Sequence, residues 1–341
     1  MRLILVGFGV VARSLTDILT VRKQELLERY GLHPRVVAII DKKGSAINPK
    51  GLDLDEIRRV KTEYGTVAET SEYGSKRTSA VEIIDEVDAE VVVEATPTNL
   101  ETGEPGMTHI ESALKAGRHV VTVNKGPLAL ALPALMEMAA YNCATLRFSG
   151  TVGGGTPILD FGRKCLASDK LLSIEGILNG TTNYMLTEMD RLGLTFEEAL
   201  KSAQEKGYAE ANPALDVDGW DAAAKVTIMA NWLTGREVTL KDVSVKGIRG
   251  VKPADLKDAA KQGGAVKLIG RIGDGEGDIS VSPTFVKRDD PICIGGTLNA
   301  VRFHSEFAGN EIIIGKGAGG PETASAVLRD LLEIRERMSV K

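Results

Sequence analysis

Apolar residues fall in short blocks along the first half of the chain. Residues 2–6 (Arg2-Leu3-Ile4-Leu5-Val6) form one such run, and Gly7-Phe8-Gly9-Val10-Val11-Ala12 opens a helically periodic stretch that predicts one helix reaching Tyr30, with Gly31 as its C-terminal cap. Further apolar runs at 36–40, 89–94, 119–123 and 145–148 predict buried strands, with a helix over 108–116. The segment 44–76 is polar and glycine-interrupted, with one helical piece near 54–60. Strands alternating with helices predict an α/β, Rossmann-type nucleotide-binding domain. The second half differs: a strand at 171–178, a helix opening at Asn179-Gly180-Thr181-Thr182, and strands near 243–248, 266–272, 279–285 and 300–307 suit an α+β domain whose mixed sheet buries one face. A last strand at 311–314 and the loop Gly315-Lys316-Gly317-Ala318-Gly319-Gly320 lead into a terminal helix, so the chain is expected to return to its first domain. The expected boundaries are 1–150, 151–310 and 311–341.

Composition narrows the function classes. With 341 residues, 43% of them hydrophobic and 26% charged, the chain is long enough for two or three cores. A net charge of −5 and the lack of any lysine or arginine run argue against a nucleic-acid partner. Cys143, Cys165 and Cys293 lack CxxC spacing and suggest a reducing interior, each as a small buried hydrophobe. The N-terminal run resembles a short secretory signal, but Gly7-Phe8-Gly9 interrupts it and no small-residue cleavage site follows, so a cytoplasmic protein is expected. No stretch approaches ~18 apolar residues, and no membrane span is predicted. His33, His109, His119 and His304 lack metal spacing and are read as structural or solvated.

Candidate chemistry collects at the ends of these elements. In the first turn Gly7 makes the tight bend, Gly9 lets a pyrophosphate approach the backbone and Ala12 replaces the usual third glycine; Gly7, Phe8, Gly9, Val10 and Val11 are candidate cofactor contacts. A tight turn with no ligand is the alternative. Asp41-Lys42-Lys43 ends the second strand, where an acid binds the ribose diol and a base binds a 2′-phosphate, so NAD and NADP both stay open. Thr96 and Lys125 follow strands at the carboxyl edge of the sheet, where ligands gather; Lys125 is either solvated or in contact with substrate or nicotinamide. The turn from Ser149 to Thr156 exposes carbonyls that suit a hard cation, and it suits a hinge equally well. The amides opening the helix at Asn179 suit a carboxylate, while Met185 and Met189 are read as core.

The densest group of acids lies in 207–225. Asn212-Pro213 breaks regular structure, and Asp218 reads as the N-cap of a helix running from near Gly219 towards Leu233, which leaves Glu210 and Asp216 on the entering loop. Asp221 and Lys225 share a helical face that Ile228 and Trp232 continue. A lysine among carboxylates and beside apolar surface is a tunable proton donor, whereas a capping box with a surface ion pair is the bland alternative.

Together, Gly7-Phe8-Gly9, the run Val120-Val121-Thr122-Val123-Asn124-Lys125-Gly126-Pro127-Leu128, Asn179-Gly180-Thr181, Gly207-Tyr208-Ala209-Glu210 and Asp216-Val217-Asp218-Gly219-Trp220-Asp221 with Lys225 resemble homoserine dehydrogenase along nearly the whole chain. The resemblance implies a nucleotide domain, a dimerisation region and a catalytic mixed sheet. It implies a homodimer that reversibly reduces L-aspartate 4-semialdehyde to L-homoserine with NADPH or NADH in threonine and methionine biosynthesis. By the same resemblance Lys225 is the proton donor, Glu210 and Asp221 hold the amino and hydroxyl ends of the substrate, Thr181 and Tyr208 line its site, and Lys125 assists near the nicotinamide. It also implies that Gly319 touches the cofactor, and that Val152, Gly154 and Thr156 give carbonyls to a sodium ion with Ser149 aligned to a fourth ligand. Two departures stand out: Ala12 for a common glycine, and Asn212 where an aspartate is usual. The chain ends soon after its terminal helix, so a short form without a regulatory domain or threonine feedback is expected. A dehydrogenase of another small amino acid and a non-catalytic NAD(P)-binding sensor are the alternatives.

Overall fold

The computed structural model describes residues 1–275 and 277–339; Val340 and Lys341, which the expected return segment included, lie outside them. The chain divides into two units, Met1–Thr151 joined by the segment from Gly319 onward, and Val152–Ala318.

The first unit is built on a seven-stranded sheet: β1 (Arg2–Val6), β2 (Arg35–Asp41), β3 (Gly44–Ile47), β4 (Gly74–Ser75), β5 (Val91–Glu94), β6 (His119–Thr122) and β7 (Leu146–Arg147), in the order β4-β3-β2-β1-β5-β6-β7. Five strands are parallel, and β1 lies between β2 and β5, so the strand order reverses there. Ligands of open α/β sheets bind outside the carboxyl ends of strands at such a reversal. The expected single helix to Tyr30 is two, Val10–Val21 and Lys23–Tyr30, because Arg22 leaves helical geometry (φ −98°, ψ 12°); Gly31 does cap the second in the left-handed region. The polar segment 44–76 contributes β3 and β4 as an antiparallel extension beside the helix Leu54–Tyr64. The terminal helix Gly320–Ser339 packs on the helix Val10–Val21 and places Ala324, Val327, Leu328, Leu331 and Ile334 in this unit's core.

The second unit carries a six-stranded sheet of β8 (Leu171–Ile177), β9 (Ser244–Val245), β10 (Gly264–Ile272), β11 (Ile279–Lys287), β12 (Leu298–Ser305) and β13 (Gly309–Lys316), ordered β13-β12-β8-β10-β11-β9. Its pairs are antiparallel apart from β9 with β11. The helices Gly180–Leu192, Trp220–Thr234 and Pro253–Lys261 pack on β10, and alternation along β11 buries Ile279 and Val281 between half-exposed serines. The strand expected to open the return segment at 311 belongs here instead, since β13 pairs with β12 over its whole length. The cysteines differ from expectation too: Cys143 and Cys165 are exposed, as one is a turn residue at φ 52° and the other ends a surface helix.

Candidate functional site

In the first unit the glycine turn has the form a dinucleotide needs. Gly7 sits at φ +90° with its N–H on Ile40 O, and a Cβ there would lie 2.6 Å from Ala95 O. Gly9 caps the helix Val10–Val21 without any side-chain bond, a Cβ on it would meet nothing within 4 Å, and Val10 is exposed. An uncapped helix N-terminus with open space before it fits a pyrophosphate. Phe8 and Ala12 are buried beneath the turn, Val11 is half-buried, and Gly319 lies just before the helix Gly320–Ser339, whose first residue abuts Val10 and Ser14.

Asp41 is differently placed from a simple ribose acceptor. Its carboxylate takes the N–H groups of Lys43 (2.8 Å) and Val67 (3.0 Å), the Thr66 hydroxyl (3.0 Å) and Lys61 Nζ (2.6 Å), while Lys42 and Lys43 are exposed. Burial pushes this carboxyl upward, but the bonds from Lys61, Lys43 and Val67 outweigh it and hold the group below its ordinary value.

At the ends of β5 and β6 a residue that sequence reasoning passed over organises the loop. Glu94 is fully buried; it accepts from Thr96 N (3.0 Å), from the Thr96 hydroxyl and from Thr122 Oγ1 (3.0 Å). Asn124 then caps the helix Lys125–Tyr141 and donates to Thr96 Oγ1 and Pro97 O, both at 3.3 Å. Lys125 thus occupies the first turn of a helix, where a cation opposes the helix dipole by ~0.3–1 kcal/mol. A strand ending Val-Val-Val-Glu carried the only sequence signal for Glu94.

The second unit holds the acid and lysine cluster. The helix Trp220–Thr234 begins after Gly219 at φ +90° with no side-chain cap, so Asp218 is not the cap expected of it; its carboxylate pairs with Arg249. Asp216 lies in a short helix, Ala214–Val217, and not on a loop. Lys225 Nζ donates to Asp221 Oδ2 and to Leu178 O, both at 2.7 Å, with the lysine side chain 8% and the aspartate 14% exposed. Asn179 Nδ2 bridges Asp221 Oδ2 (2.8 Å) and Asp216 Oδ1 (2.7 Å). Burial first, and then the charge of Asp221, push the Asp216 carboxyl above its ordinary value. The helix is buried all round from Ala222 to Ala230, Lys225 included, which is unlike the setting of a solvated ion pair. Around it Thr181 Oγ1 donates to Tyr208 O (2.8 Å), and the Tyr208 ring meets that of Tyr184 at 4.9 Å between centroids. Glu210 is exposed on the loop before the cluster, and its backbone carbonyl accepts Gln204 Nε2 at 3.2 Å.

The candidate cation ligands divide between the units. In the first, Ser149 donates its hydroxyl (2.6 Å) and its N–H (2.9 Å) to Asp330 of the terminal helix. In the second, Gly153 and Gly154 at φ +83° and +54° turn the chain; Thr156 N donates to Gly153 O (2.8 Å) and Thr156 Oγ1 to Lys316 O (3.1 Å), with Val152 buried. Among the described residues no three His, Cys, Asp or Glu side chains converge as a metal site, and no helix is long and apolar enough to cross a membrane.

Comparison with known proteins agrees with both halves. Residues 7–149 match the family model for the homoserine dehydrogenase NAD-binding domain, and residues 157–332 match that for homoserine dehydrogenase. A homoserine dehydrogenase of Methanocaldococcus jannaschii is 46% identical over 334 residues, covering 98% of each chain. An NAD(+)-dependent homoserine dehydrogenase of Pseudomonas canavaninivorans is 38% identical, covering 100% of this chain and 97% of its own. A hyperthermophilic archaeal homoserine dehydrogenase solved in complex with NADPH superposes with a TM-score of 0.86 at 29% identity, covering 98% of both chains. With both family models matched in order and relatives this similar over nearly the full length, the chain belongs to the homoserine dehydrogenase family.

Proposed function

We propose that the chain interconverts L-homoserine and L-aspartate 4-semialdehyde with NAD or NADP, a cytoplasmic step towards threonine and methionine. The observation that carries this reading is the buried Asp221–Lys225 pair, with Lys225 fixed at a second point by Leu178 O. The nicotinamide, when bound, supplies or accepts the hydride. As negative charge develops on the aldehyde oxygen, Lys225 gives it a proton from the N–H not engaged by Asp221 and Leu178, and in the reverse direction the neutral amine takes the hydroxyl proton. Asp221 orients the lysine and meets the hydroxyl end; Glu210, with Thr181 and Tyr208, holds the amino-acid end; Lys125 assists from the first turn of its helix.

Because Asp41 already serves four donors, and Lys42 and Lys43 offer point charges without the fork of arginine, both nucleotides should work with modest discrimination. The carbonyls of Val152, Gly154 and Thr156 suit a weakly held sodium ion, since oxygen-only ligation without a dedicated acid does not favour zinc or magnesium. The exposed Phe285 and Ile314 on the second sheet support a homodimer, which sedimentation would show as twice the chain mass.

The test is absorbance at the reduced-nicotinamide band after adding L-homoserine with each nucleotide, in sodium buffer and in a buffer of large organic cations. Turnover is expected with both nucleotides, within about 10⁴-fold of each other, equivalent to ~5.5 kcal/mol, and faster with sodium. Turnover of another amino alcohol in place of homoserine would support a different dehydrogenase; nucleotide binding without any turnover would support a sensor.

A further inference from the structure

Asn299 is the second residue of β12 and only 1% exposed. Its Nδ2 donates to Leu178 O at 3.0 Å, the same oxygen that accepts Lys225 Nζ at 2.7 Å. Its Oδ1 is buried with no hydrogen-bond partner. The orientation is fixed by chemistry, since the reverse amide would set Oδ1 against the Leu178 carbonyl. The chain makes room for this amide: a Cβ on Gly317 would lie 2.1 Å from Asn299 Nδ2. The carbonyl it holds is at a decisive place, because Leu178 directly follows the strand β8 and Asn179, the next residue, caps the helix Gly180–Leu192 and bridges Asp216 and Asp221.

A buried amide with one atom unpaired is a poor choice for stability alone. A leucine has nearly the same shape and strands no acceptor, and Leu178 O would still have Lys225 as a donor. The amide is accounted for by what its nitrogen does.

We infer that Asn299 is a positioning residue for Lys225, acting through the Leu178 carbonyl. An ammonium has three N–H bonds at fixed angles. With Asp221 on one and Leu178 O on another, the direction of the third is set by where those two oxygens stand. Asp221 is held by Asn179 from one side; Leu178 O is held by Asn299 from the other. Without the amide that carbonyl answers to the lysine alone, and the two can swing together away from the substrate oxygen.

This inference rests on Lys225 as the proton donor, so the test carries a control for that reading. Turnover, the KM of homoserine, the KM of the nucleotide and the melting temperature are measured for Asn299→Leu, Asn299→Ser and Lys225→Ala. Asn299→Leu should lose on the order of ten- to a hundredfold in kcat, since a ~1 Å misplacement costs about 10²-fold, with the nucleotide KM and the melting temperature kept. Asn299→Ser, whose hydroxyl stops one bond short of the amide nitrogen and donates to Leu178 O through a water in the space left, should recover part of that loss. Should the leucine variant not fold, serine against alanine at the same position makes the same contrast between donor and no donor. Wild-type kcat in Asn299→Leu would overturn the inference, as would equal losses in the donor and non-donor variants. If Lys225→Ala keeps its turnover, the proton-donor reading fails; if it loses turnover while Asn299→Leu does not, this inference alone fails.

Discussion

Asp216 is held where its charge is least welcome, buried near Asp221 with Asn179 as a shared donor. Its folded value lies above its unfolded one, so folding takes up a proton, and this group's contribution to stability is fully present below the unfolded value and is lost as pH rises through the folded one. Asp216→Asn keeps an oxygen for Asn179 Nδ2 and removes the charge. Its melting temperature should exceed that of the parent by a few degrees at neutral pH, and the difference should vanish in acid, where the parent aspartate is protonated folded and unfolded. A variant that melts lower than the parent at neutral pH would show that the ionised carboxylate supports the fold. Around this residue, the spacing of Asp221 and Lys225 was enough to predict their contact. Asn299 could not be found that way, because it comes from a strand 121 residues beyond Leu178 and nothing in its spacing ties it to Lys225.

Elements with strong periodicity were legible, and their ends were not. The parallel strands, Gly31 as a cap and the helix Gly180–Leu192 with Asn179 before it follow from apolar runs and capping residues. Asp218 misled because a side chain suited to capping had a stronger partner in Arg249, and a glycine at φ +90° took the cap position. The strands within 44–76 were not legible because β3 and β4 are only four and two residues long; the pairing of β3 with the apolar β2, and of β4 with β3, is visible only in three dimensions. Asp41 shows the same limit. Its position at a strand end was plain, but Lys61 and Thr66, which occupy its carboxylate, come from well beyond that strand.

At the scale of the whole chain, the first unit is completed by the last helix. Val327, Leu328, Leu331 and Ile334 are buried in its core, and at ~1.5–3 kcal/mol for each large apolar side chain their loss amounts to about 6–12 kcal/mol. Domains are stable by only ~5–15 kcal/mol. Ending the chain at Ala318 would also remove Asp330 and Glu333 from the buried Arg147. The shortened chain should therefore bind no nucleotide and be cut by protease within residues 1–151. Parent-like nucleotide affinity would show that the N-terminal segment folds without its return helix.

Lys225 as the proton donor is tested most directly by turnover of Lys225→Ala with homoserine at saturation, set beside nucleotide binding in the same preparation. The turn at Gly7 and Gly9 lies in the other unit, so binding reports that the nucleotide unit is folded, and an unchanged melting temperature reports the same of the unit that carries Lys225. A proton-donor role for Lys225 predicts binding close to that of the parent and a kcat lower by ~10²–10⁴-fold, the range for a lost general acid or base. Parent-like turnover in that variant would contradict it.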